Sequence, residues 1–310
     1  MAIYHLRVKF VQRSKGRSSV AAAAYRSGSR LVDERTGKPH DYSRKADIEY
    51  SEIMVPDTLP DAVAQRLCDR GVLWNSIETR LTHPRAQPAF EVEAALPREL
   101  DHNQCVQLVQ AFARNMFVAR GLVVDANIHR PMASDGGAHP HVHLLIATRR
   151  FEADALGKAA RDMQDNPKLV EKVYALEEAG RIDEAVQLQN GLNLGQWRQA
   201  WEDYSNRFLD EAGSSARIDH RTLEAQRIDR EAQPNIGFAF HDRLRALTGH
   251  LAQRVEAWRN AMRQQLDAVR WETPDLAAEF IAHAREYAAR LFPEVRADGH
   301  EQGRGVDYER

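Results

Sequence analysis

Three histidines stand at alternate positions in residues 139–146, which read HPHVHLLI and lead into an apolar, strand-like stretch. Side chains of a β-strand alternate between its two faces and each residue advances about 3.3 Å, so His141 and His143 share one face roughly 7 Å apart. A metal–imidazole bond is about 2 Å long, which lets two such rings converge on one ion. His139 lies about 13 Å from His143 along the strand, too far to join them. The spacing predicts part of a divalent metal site.

His129 is the candidate for the third ligand. It ends the apolar segment GLVVDANIH, and the glycine-containing sequence RPMASDGGA separates it from His139. A segment of this kind typically joins two antiparallel strands, so we expect strand pairing to bring His129 beside His141 and His143. An isolated pair of alternating histidines is also common on protein surfaces. His139 precedes a proline and is predicted to lie in the loop.

Four segments alternate apolar and polar residues with the period of two that is typical of a half-buried strand. They read IYHLRVKF, AFEVEAAL, LVVDANIH and HVHLLIATR and begin at residues 3, 89, 122 and 141. One face of each segment is apolar, whereas the other carries the histidines and the acidic residues Glu91, Glu93 and Asp125. This pattern predicts an α/β (α+β) fold, in which an antiparallel sheet is covered by helices on one face and its open face forms the active site.

Three amphipathic segments are predicted to supply the covering helices. They read PDAVAQRLCDRGVLWNSIETR, LDHNQCVQLVQAFARNMFVARG and GQWRQAWEDYSNRFLDEAG, and Asp101 is placed to cap the second of them. The alanine-rich stretch SSVAAAAYRSG is also predicted to be helical, with serine caps and a single tyrosine, Tyr25. A tyrosine in such a helix often packs with its hydroxyl at the surface, so this stretch by itself leaves a structural and a catalytic role for Tyr25 equally open.

The overall composition is ordinary for a chain of 310 residues, with 43% hydrophobic residues, 28% charged residues and a net charge of −2. No run of about 18 apolar residues could span a membrane, and the first basic residues follow the apolar ones, unlike those of a signal peptide. We therefore expect a cytoplasmic protein without membrane insertion. The two cysteines, Cys68 and Cys105, do not support a disulfide framework or a thiolate zinc site.

Positive charge is concentrated at the start of the chain, where residues 1–32 contain seven basic residues and no acidic residue. A local positive field can attract a polyanion even when the total charge is nearly neutral. Basic runs are nevertheless most often solvated faces. The DNA phosphate contacts that we predict are Arg7, Lys9, Arg26 and Arg30.

Six blocks of the chain together resemble the MobA/MobL relaxases, which are plasmid mobilisation proteins of the HUH endonuclease superfamily. The blocks are MAIYHL, YRSGSRLVDERTGKPHDYS, SEIMVPDTLP, FEVEAALPREL, NIH with HPHVHLLIATRRF, and WRQAWEDYSNRFLDEAG with ARIDHRTLEAQ, in order across residues 1–228. The resemblance implies that Tyr25 is the nucleophile and that Glu93, or alternatively Glu91, orients a metal histidine. It also implies a divalent ion, Mn²⁺ or Mg²⁺, with the ligands His129, His141 and His143.

The same resemblance implies a reaction and its partners. Tyr25 would attack single-stranded DNA at the nick site of an origin of transfer, become linked to the 5′-phosphate and release a 3′-hydroxyl, and reversal would rejoin the strand after conjugative transfer. Accessory relaxosome proteins and a conjugative coupling protein with its secretion system are the implied partners. The alternatives are a rolling-circle replication initiator, whose tyrosine usually follows the histidine motif, a catalytically silent DNA-binding module of the same fold, and a metal hydrolase that uses water as its nucleophile.

The sequence changes character near residue 236, which we predict to be the end of a relaxase domain over residues 1–235. Apolar residues then recur at spacings of three and four from Leu244 to Val269, so residues 236–292 are predicted to form a helical extension. Residues 293–310 are polar and contain glycine, and they are predicted to be a disordered tail. We expect the extension to pack on the first domain; a surface for partner proteins, self-association or duplex DNA is the alternative.

Overall fold

A computed structural model of the chain describes residues 4–132, 137–152, 155–221 and 226. The chain divides into two units, Met1–Arg230 and Glu231–Arg310. The predicted domain limit at residue 235, the helical extension over residues 236–292 and the tail over 293–310 all lie outside the described residues, and these three remain predictions.

The strands of the first unit form one five-stranded and two small antiparallel sheets within the described ranges. In chain order they are β1 (Leu6–Val11), β2 (Arg30–Asp33), β3 (Lys38–Asp41), β4 (Ile48–Met54), β5 (Ala89–Ala95), β6 (Val124–His129), β7 (His141–Ala147), β8 (Arg149–Glu152) and β9 (Ala155–Ala159). The large sheet has the order β1-β5-β7-β6-β4. The four predicted strands are β1, β5, β7 and β6, which are neighbours in this sheet. The fifth strand, β4, lies at the edge beside β6 and was not predicted.

Seven α-helices accompany these sheets in the described part of the chain. They are α1 (Ser19–Ser27), α2 (Asp61–Leu67), α3 (Arg70–Arg80), α4 (His102–Met116), α5 (Pro167–Glu178), α6 (Ile182–Asn190) and α7 (Asn193–Glu211). Asp101 caps α4 as predicted, since its side chain accepts a hydrogen bond from the backbone of Gln104. The first predicted helix is divided in two because the Asp69 side chain caps a new helix, α3. No helix among these has the length and apolar character needed to cross a membrane.

The apolar face of the large sheet packs against α4 and α7. Phe90 of β5 stacks on Trp197 of α7 with ring centroids 5.4 Å apart, and Trp201 meets Phe112 of α4 edge to face at 5.0 Å. These rings are buried together with the inward-facing aliphatic residues of β5, β6 and β7. The aromatic stripe of α7 is thus part of the core, and burying this apolar surface stabilises the contact between sheet and helices.

Helices α1 and α3 cover part of the polar face of the sheet. The predicted fold class is confirmed, but the prediction that helices cover only one face is corrected. Leu145 and Ala147 of β7 lie on the same face as the histidines and form a second core with Ala23 of α1 and Leu73 and Trp74 of α3. The reason lies in β7, whose apolar residues continue past the histidines and need burial. The histidines occupy the opposite end of the same face.

Candidate active site

The pairing of β6 with β7 brings the three predicted histidines together. His129 lies directly opposite His141 in the antiparallel register. The ring centroid of His129 is 5.4 Å from that of His141 and 4.6 Å from that of His143, while His141 and His143 are 4.9 Å apart. Candidate ligand atoms of the three residues all lie within 4.8 Å of one another. Two nitrogens bound to one ion at about 2.1 Å are at most about 4.2 Å apart, so only small side-chain movements would be needed.

His139 lies outside this cluster and supports it through its backbone. Its ring is exposed, whereas its carbonyl oxygen accepts a hydrogen bond from Nδ1 of His141 at 3.0 Å. The arrangement agrees with the predicted loop position of His139. The ring that lies beside both His141 and His143 is that of His129 and not that of His139.

Each clustered ring has one nitrogen directed at an oxygen acceptor. Nδ1 of His143 is 2.6 Å from the Glu91 carboxylate, and Nε2 of His129 is 2.6 Å from the backbone carbonyl of Arg26. His141 bonds the His139 carbonyl in the same way. In the neutral form of such a ring the second nitrogen carries a lone pair that can bind a cation. Metal-binding histidines typically donate their other N–H in this way, so the donor set fits a divalent ion.

The protonation of the histidines also favours cation binding. Burial, reinforced by the nearby His143, lowers the pKa of His129 to about 3. The same two causes lower the pKa of His141 to about 4. Because both values lie below the ordinary value of about 6.5, these rings are neutral at physiological pH and need not lose a proton to bind an ion.

Glu91, rather than Glu93, makes the short hydrogen bond to a clustered histidine, which corrects the preferred sequence assignment. The nearer oxygen of Glu93 is 3.7 Å from Nδ1 of His143, and its carboxylate pairs with Lys9 at 2.5 Å. Glu91 is fully buried and Glu93 is about one fifth exposed. Burial disfavours the charge of Glu91, but Arg26 and the hydrogen bond to His143 outweigh it and hold the Glu91 pKa well below its usual range.

The guanidinium of Arg26 forms a buried ion pair with Glu91. It is therefore not free to make the phosphate contact that the sequence analysis predicts. Its Nε and one terminal nitrogen bond the two oxygens of Glu91 at 2.7 and 2.6 Å, and the other terminal nitrogen donates to the Ala22 carbonyl at 2.8 Å. Because its own carbonyl accepts from His129, Arg26 joins the end of α1 to two of the three histidines. The prediction of DNA contact is therefore corrected to a positioning role.

Tyr25 lies in the last turn of this anchored helix, next to Arg26. Its ring is half-buried and meets Tyr42 edge to face at a centroid distance of 5.2 Å. Burial raises the pKa of the Tyr25 phenol, against the opposing effect of the Arg26 charge. At the other end of α1 the buried Glu78 carboxylate accepts hydrogen bonds from both the backbone N–H and the hydroxyl of Ser19. Contacts at both ends thus orient the tyrosine helix relative to the sheet.

The other three predicted DNA contacts have different surroundings. Arg7 is exposed and its guanidinium lies 5.2 Å from the ring centre of Tyr174. Lys9 is paired with Glu93, although 41% of its side chain is exposed. The Arg30 side chain is 72% exposed, with Asp41 at 3.9 Å. These three side chains stay accessible to a polyanion, in contrast to Arg26.

Two residues beside Tyr25 were not singled out in the sequence analysis. The ammonium nitrogen of Lys45 is 3.9 Å from the centre of the Tyr25 ring, and Asp47 has one oxygen 3.8 Å from Nδ1 of His129. Both belong to the segment between β3 and β4, which has no repeating pattern. A basic residue close to the HDYS block was the available signal, but only the folded chain shows that it reaches the tyrosine.

A second group of potential ligands, formed by Glu202, Asp219 and His220, serves the packing of the chain after α7. Both the backbone N–H and Nδ1 of His220 bond the Glu202 carboxylate, and Asp219 pairs with Arg221 at 2.6 Å. These contacts hold the ARIDHR segment against α7. Since the polar groups satisfy one another, we assign this cluster a structural role.

The two glutamates offer a matched test of the site. We expect Glu91→Gln to weaken Mn²⁺ binding by about 10- to 100-fold, because the neutral amide no longer favours the His143 tautomer that leaves Nε2 free. Glu93→Gln, two residues away on the same strand, should change the affinity much less. Titration calorimetry would compare the two variants, and equal losses would contradict the assignment to Glu91.

The stability of the Glu91 variant needs a separate control. Loss of one partner from a buried ion pair can cost about 3–5 kcal/mol, because Arg26 would keep an uncompensated charge. The double variant Arg26→Met, Glu91→Gln removes both charges and should recover part of the thermal stability. If it also recovered full Mn²⁺ affinity, Glu91 would act through stability alone.

The chain is similar to known proteins. A profile of the MobA/MobL family matches residues 17–245. The probable mobilization protein MobA of Bifidobacterium longum (strain NCC 2705) is 33% identical, over 88% of this chain and 50% of that protein. Mobilization protein MobL of Acidithiobacillus ferridurans is 30% identical, over 76% of this chain and 62% of that protein. The chain therefore matches only part of the length of these relatives.

A solved structure is also similar. A chain from the structure reported as "Molecular Basis of Vancomycin Resistance Transfer in Staphylococcus aureus" is 28% identical to this chain, with a TM-score of 0.56, and the match covers 71% of this chain and 100% of that one. The family profile spans the helix with Tyr25, the strands with the three histidines and the segment after α7. This chain belongs to the MobA/MobL family.

Proposed function

We propose that the chain is the nicking and joining part of a plasmid mobilisation relaxase, which acts on single-stranded DNA at an origin of transfer. The observation that carries the proposal is the direct connection between the tyrosine helix and the histidine cluster. Arg26, the residue after Tyr25, bonds His129 through its carbonyl and reaches His143 through Glu91. A nucleophile and a cation site that are held together in this way suit attack on a phosphodiester.

The reaction is a transesterification at phosphorus. The Tyr25 hydroxyl loses its proton to water and forms a bond from Oη to phosphorus, the bond from phosphorus to the 3′-oxygen breaks, and that oxygen takes up a proton. The products are a 5′-phosphotyrosine and a free 3′-hydroxyl. Because the phosphodiester bond is exchanged and not hydrolysed, attack by the same or another 3′-hydroxyl reverses the step and rejoins DNA.

His129, His141 and His143 would hold the divalent ion. When bound, the ion supplies positive charge that stabilises the negative charge developing on the phosphate. Three neutral imidazoles leave that charge undiminished, and Glu91 holds His143 in the required tautomer. We propose Mn²⁺ or Mg²⁺. Since Mg²⁺ prefers an oxygen-rich shell, we expect Mn²⁺ to act at lower concentrations.

The DNA partner is proposed to be locally single-stranded. Arg7, Lys9 and Arg30 are the basic side chains that we assign to its phosphates, since each remains partly or largely exposed. Their contribution should weaken as salt is added, because phosphate contacts release counterions. Accessory relaxosome proteins and a conjugative coupling protein with its secretion system are the further partners in this proposal.

Incubation with end-labelled single-stranded oligonucleotides from a panel of transfer origins tests the function. We expect a protein-linked DNA band on a denaturing gel in the presence of Mn²⁺, and its loss after chelation. A cleaved oligonucleotide without any linked protein would instead indicate a metal hydrolase. Binding in a native gel without cleavage, on origins that include the chain's own, would indicate a DNA-binding module.

A further inference from the structure

We propose that Lys45 is a further catalytic residue, whose ammonium group stabilises negative charge on the Tyr25 oxygen and on the phosphate that becomes joined to it. The proposal rests on the function proposed above. It divides the positive charge of the site into two parts. The histidine-bound ion would act on the phosphate alone, while Lys45 acts on the Tyr25 oxygen and on the phosphate that becomes joined to it.

The first observation is the position of the Lys45 ammonium. Its nitrogen lies 3.9 Å from the centre of the Tyr25 ring, and only 18% of the side chain is exposed. The nearest described carboxylate oxygen belongs to Asp47 and is 4.0 Å away. Lysines are seldom buried without a close ion pair, because leaving water is costly for a charged group. A phosphate joined to Tyr25 would supply a second counterion beside Asp47.

The second observation is the way in which the backbone holds Lys45 near the tyrosine helix. The N–H of Lys45 bonds the carbonyl of Tyr42 at 3.0 Å, and the N–H of Tyr42 bonds the carbonyl of Ser29, just after α1, at 3.2 Å. Gly28 ends α1 with a φ of +60°, and a Cβ there would lie 2.6 Å from a side-chain carbon of Ile48 and 3.7 Å from Cβ of Lys45. Only glycine combines this conformation with such a close approach. Lys45 is therefore carried on a turn packed directly against the end of α1.

The third observation is the charge around Tyr25. Burial raises its pKa, and the carboxylates of Asp47, Glu91 and Glu93 act in the same direction. The Arg26 charge opposes them, but both oxygens of Glu91 are bonded to its guanidinium. Burial also lowers the pKa of Lys45, with Asp47 opposing that effect. A phenolate in these surroundings needs a nearby cation, and the Lys45 ammonium lies at its ring with Asp47 as a more distant partner at 4.0 Å.

Lys45 stays protonated during the proposed step. The Tyr25 proton leaves to water, the bond from Oη to phosphorus forms, the bond from phosphorus to the 3′-oxygen breaks, and the 3′-oxygen takes a proton from water. Lys45 contributes charge without exchanging a proton, so arginine can replace it in part and a neutral side chain cannot.

The test compares Lys45→Met with Lys45→Arg and with Lys38→Met, which removes the same charge from exposed β3. We expect Lys45→Met to slow single-turnover adduct formation by about 100-fold. Lys45→Arg should keep most of the rate, and Lys38→Met should match the unaltered chain. Mn²⁺ affinity in Lys45→Met should stay within a few-fold of the original value, since Lys45 is not among the proposed ligands and removal of a nearby positive charge does not oppose cation binding.

A readout without DNA separates this proposal from the proposed function. The probe is inorganic phosphate, whose binding to the metal-free chain is measured by titration calorimetry at the pH of the adduct assay. We expect Lys45→Met to weaken phosphate binding by about 10-fold, since it removes the ammonium beside Tyr25, and Lys38→Met to leave the binding unchanged. Equal affinities of Lys45→Met and the unaltered chain would overturn the proposal. If Lys45→Met loses phosphate affinity but the unaltered chain forms no adduct with any origin, the electrostatic role is supported and the relaxase function fails.

Discussion

Replacement of Tyr25 by phenylalanine is expected to reduce the formation of protein-linked DNA by at least about 10⁴-fold, since the variant lacks the oxygen that we propose attacks phosphorus. The ring is retained, so its contact with Tyr42 and the packing of α1 should persist. Mn²⁺ affinity and binding of uncleaved DNA should also be unchanged. A denaturing gel gives the rate, and mass spectrometry of the digested adduct identifies the linked residue.

The matched control for this result is Tyr42→Phe. Tyr42 lies edge to face with Tyr25, so its variant loses a neighbouring hydroxyl while the nucleophile remains. We expect it to form the adduct within a few-fold of the original rate. If Tyr25→Phe still formed an adduct, or if the linked peptide contained a different tyrosine, the assignment of the nucleophile would be wrong.

His143→Ala is expected to lower Mn²⁺ affinity by at least about 100-fold, because it removes a proposed ligand and leaves Glu91 without the ring to which it is hydrogen-bonded. The rate of adduct formation at fixed Mn²⁺ should fall with the affinity. His139→Ala is the matched control, because His139 is a neighbouring histidine outside the cluster and its supporting carbonyl belongs to the backbone. Electron paramagnetic resonance of free Mn²⁺ measures the affinity of both variants, and equal losses would refute the proposed ligand set.

The pH dependence of metal binding tests the same assignment. His129 and His141 have pKa values of about 3 and about 4, both below the ordinary value of about 6.5, so the folded chain keeps these rings neutral where the unfolded chain would protonate them. Their contribution to stability is complete above pH 6.5 and is lost progressively as the pH falls toward 4 and then 3. We therefore expect Mn²⁺ affinity to fall less between pH 7 and pH 5.5 than protonation of three ordinary histidines would cause.

Local patterns in the sequence predicted four of the five strands of the large sheet and the two helices that pack on its apolar face. The period of two identified β1, β5, β6 and β7, and the turn between His129 and His141 predicted which strands pair. Strand register then brings His129, His141 and His143 together, because alternate residues of neighbouring strands must share a face. The Asp101 cap and the helical periodicity of α4 and α7 are likewise local properties, and they were predicted from sequence.

Tertiary packing decided which charged groups serve the site. Glu91 and Glu93 lie on the same strand face, and Glu93 is even opposite His143 in the register, yet Lys9 attracts Glu93 while Arg26 and His143 hold Glu91. The sequence alone could not distinguish them, since both glutamates have the same local pattern. Their roles depend on how α1 crosses the sheet.

The roles of Arg26 and Lys45 likewise could not be predicted from the sequence alone. The sequence determined that positive charge is concentrated near Tyr25, and this charge predicted DNA contacts. The fold instead buries Arg26 against Glu91 and brings Lys45 from a loop without periodicity over the tyrosine ring. Periodicity indicates which face of its own helix or strand a residue occupies. An ion pair or a ring contact depends instead on the distance between separate elements, and only the folded chain sets that distance.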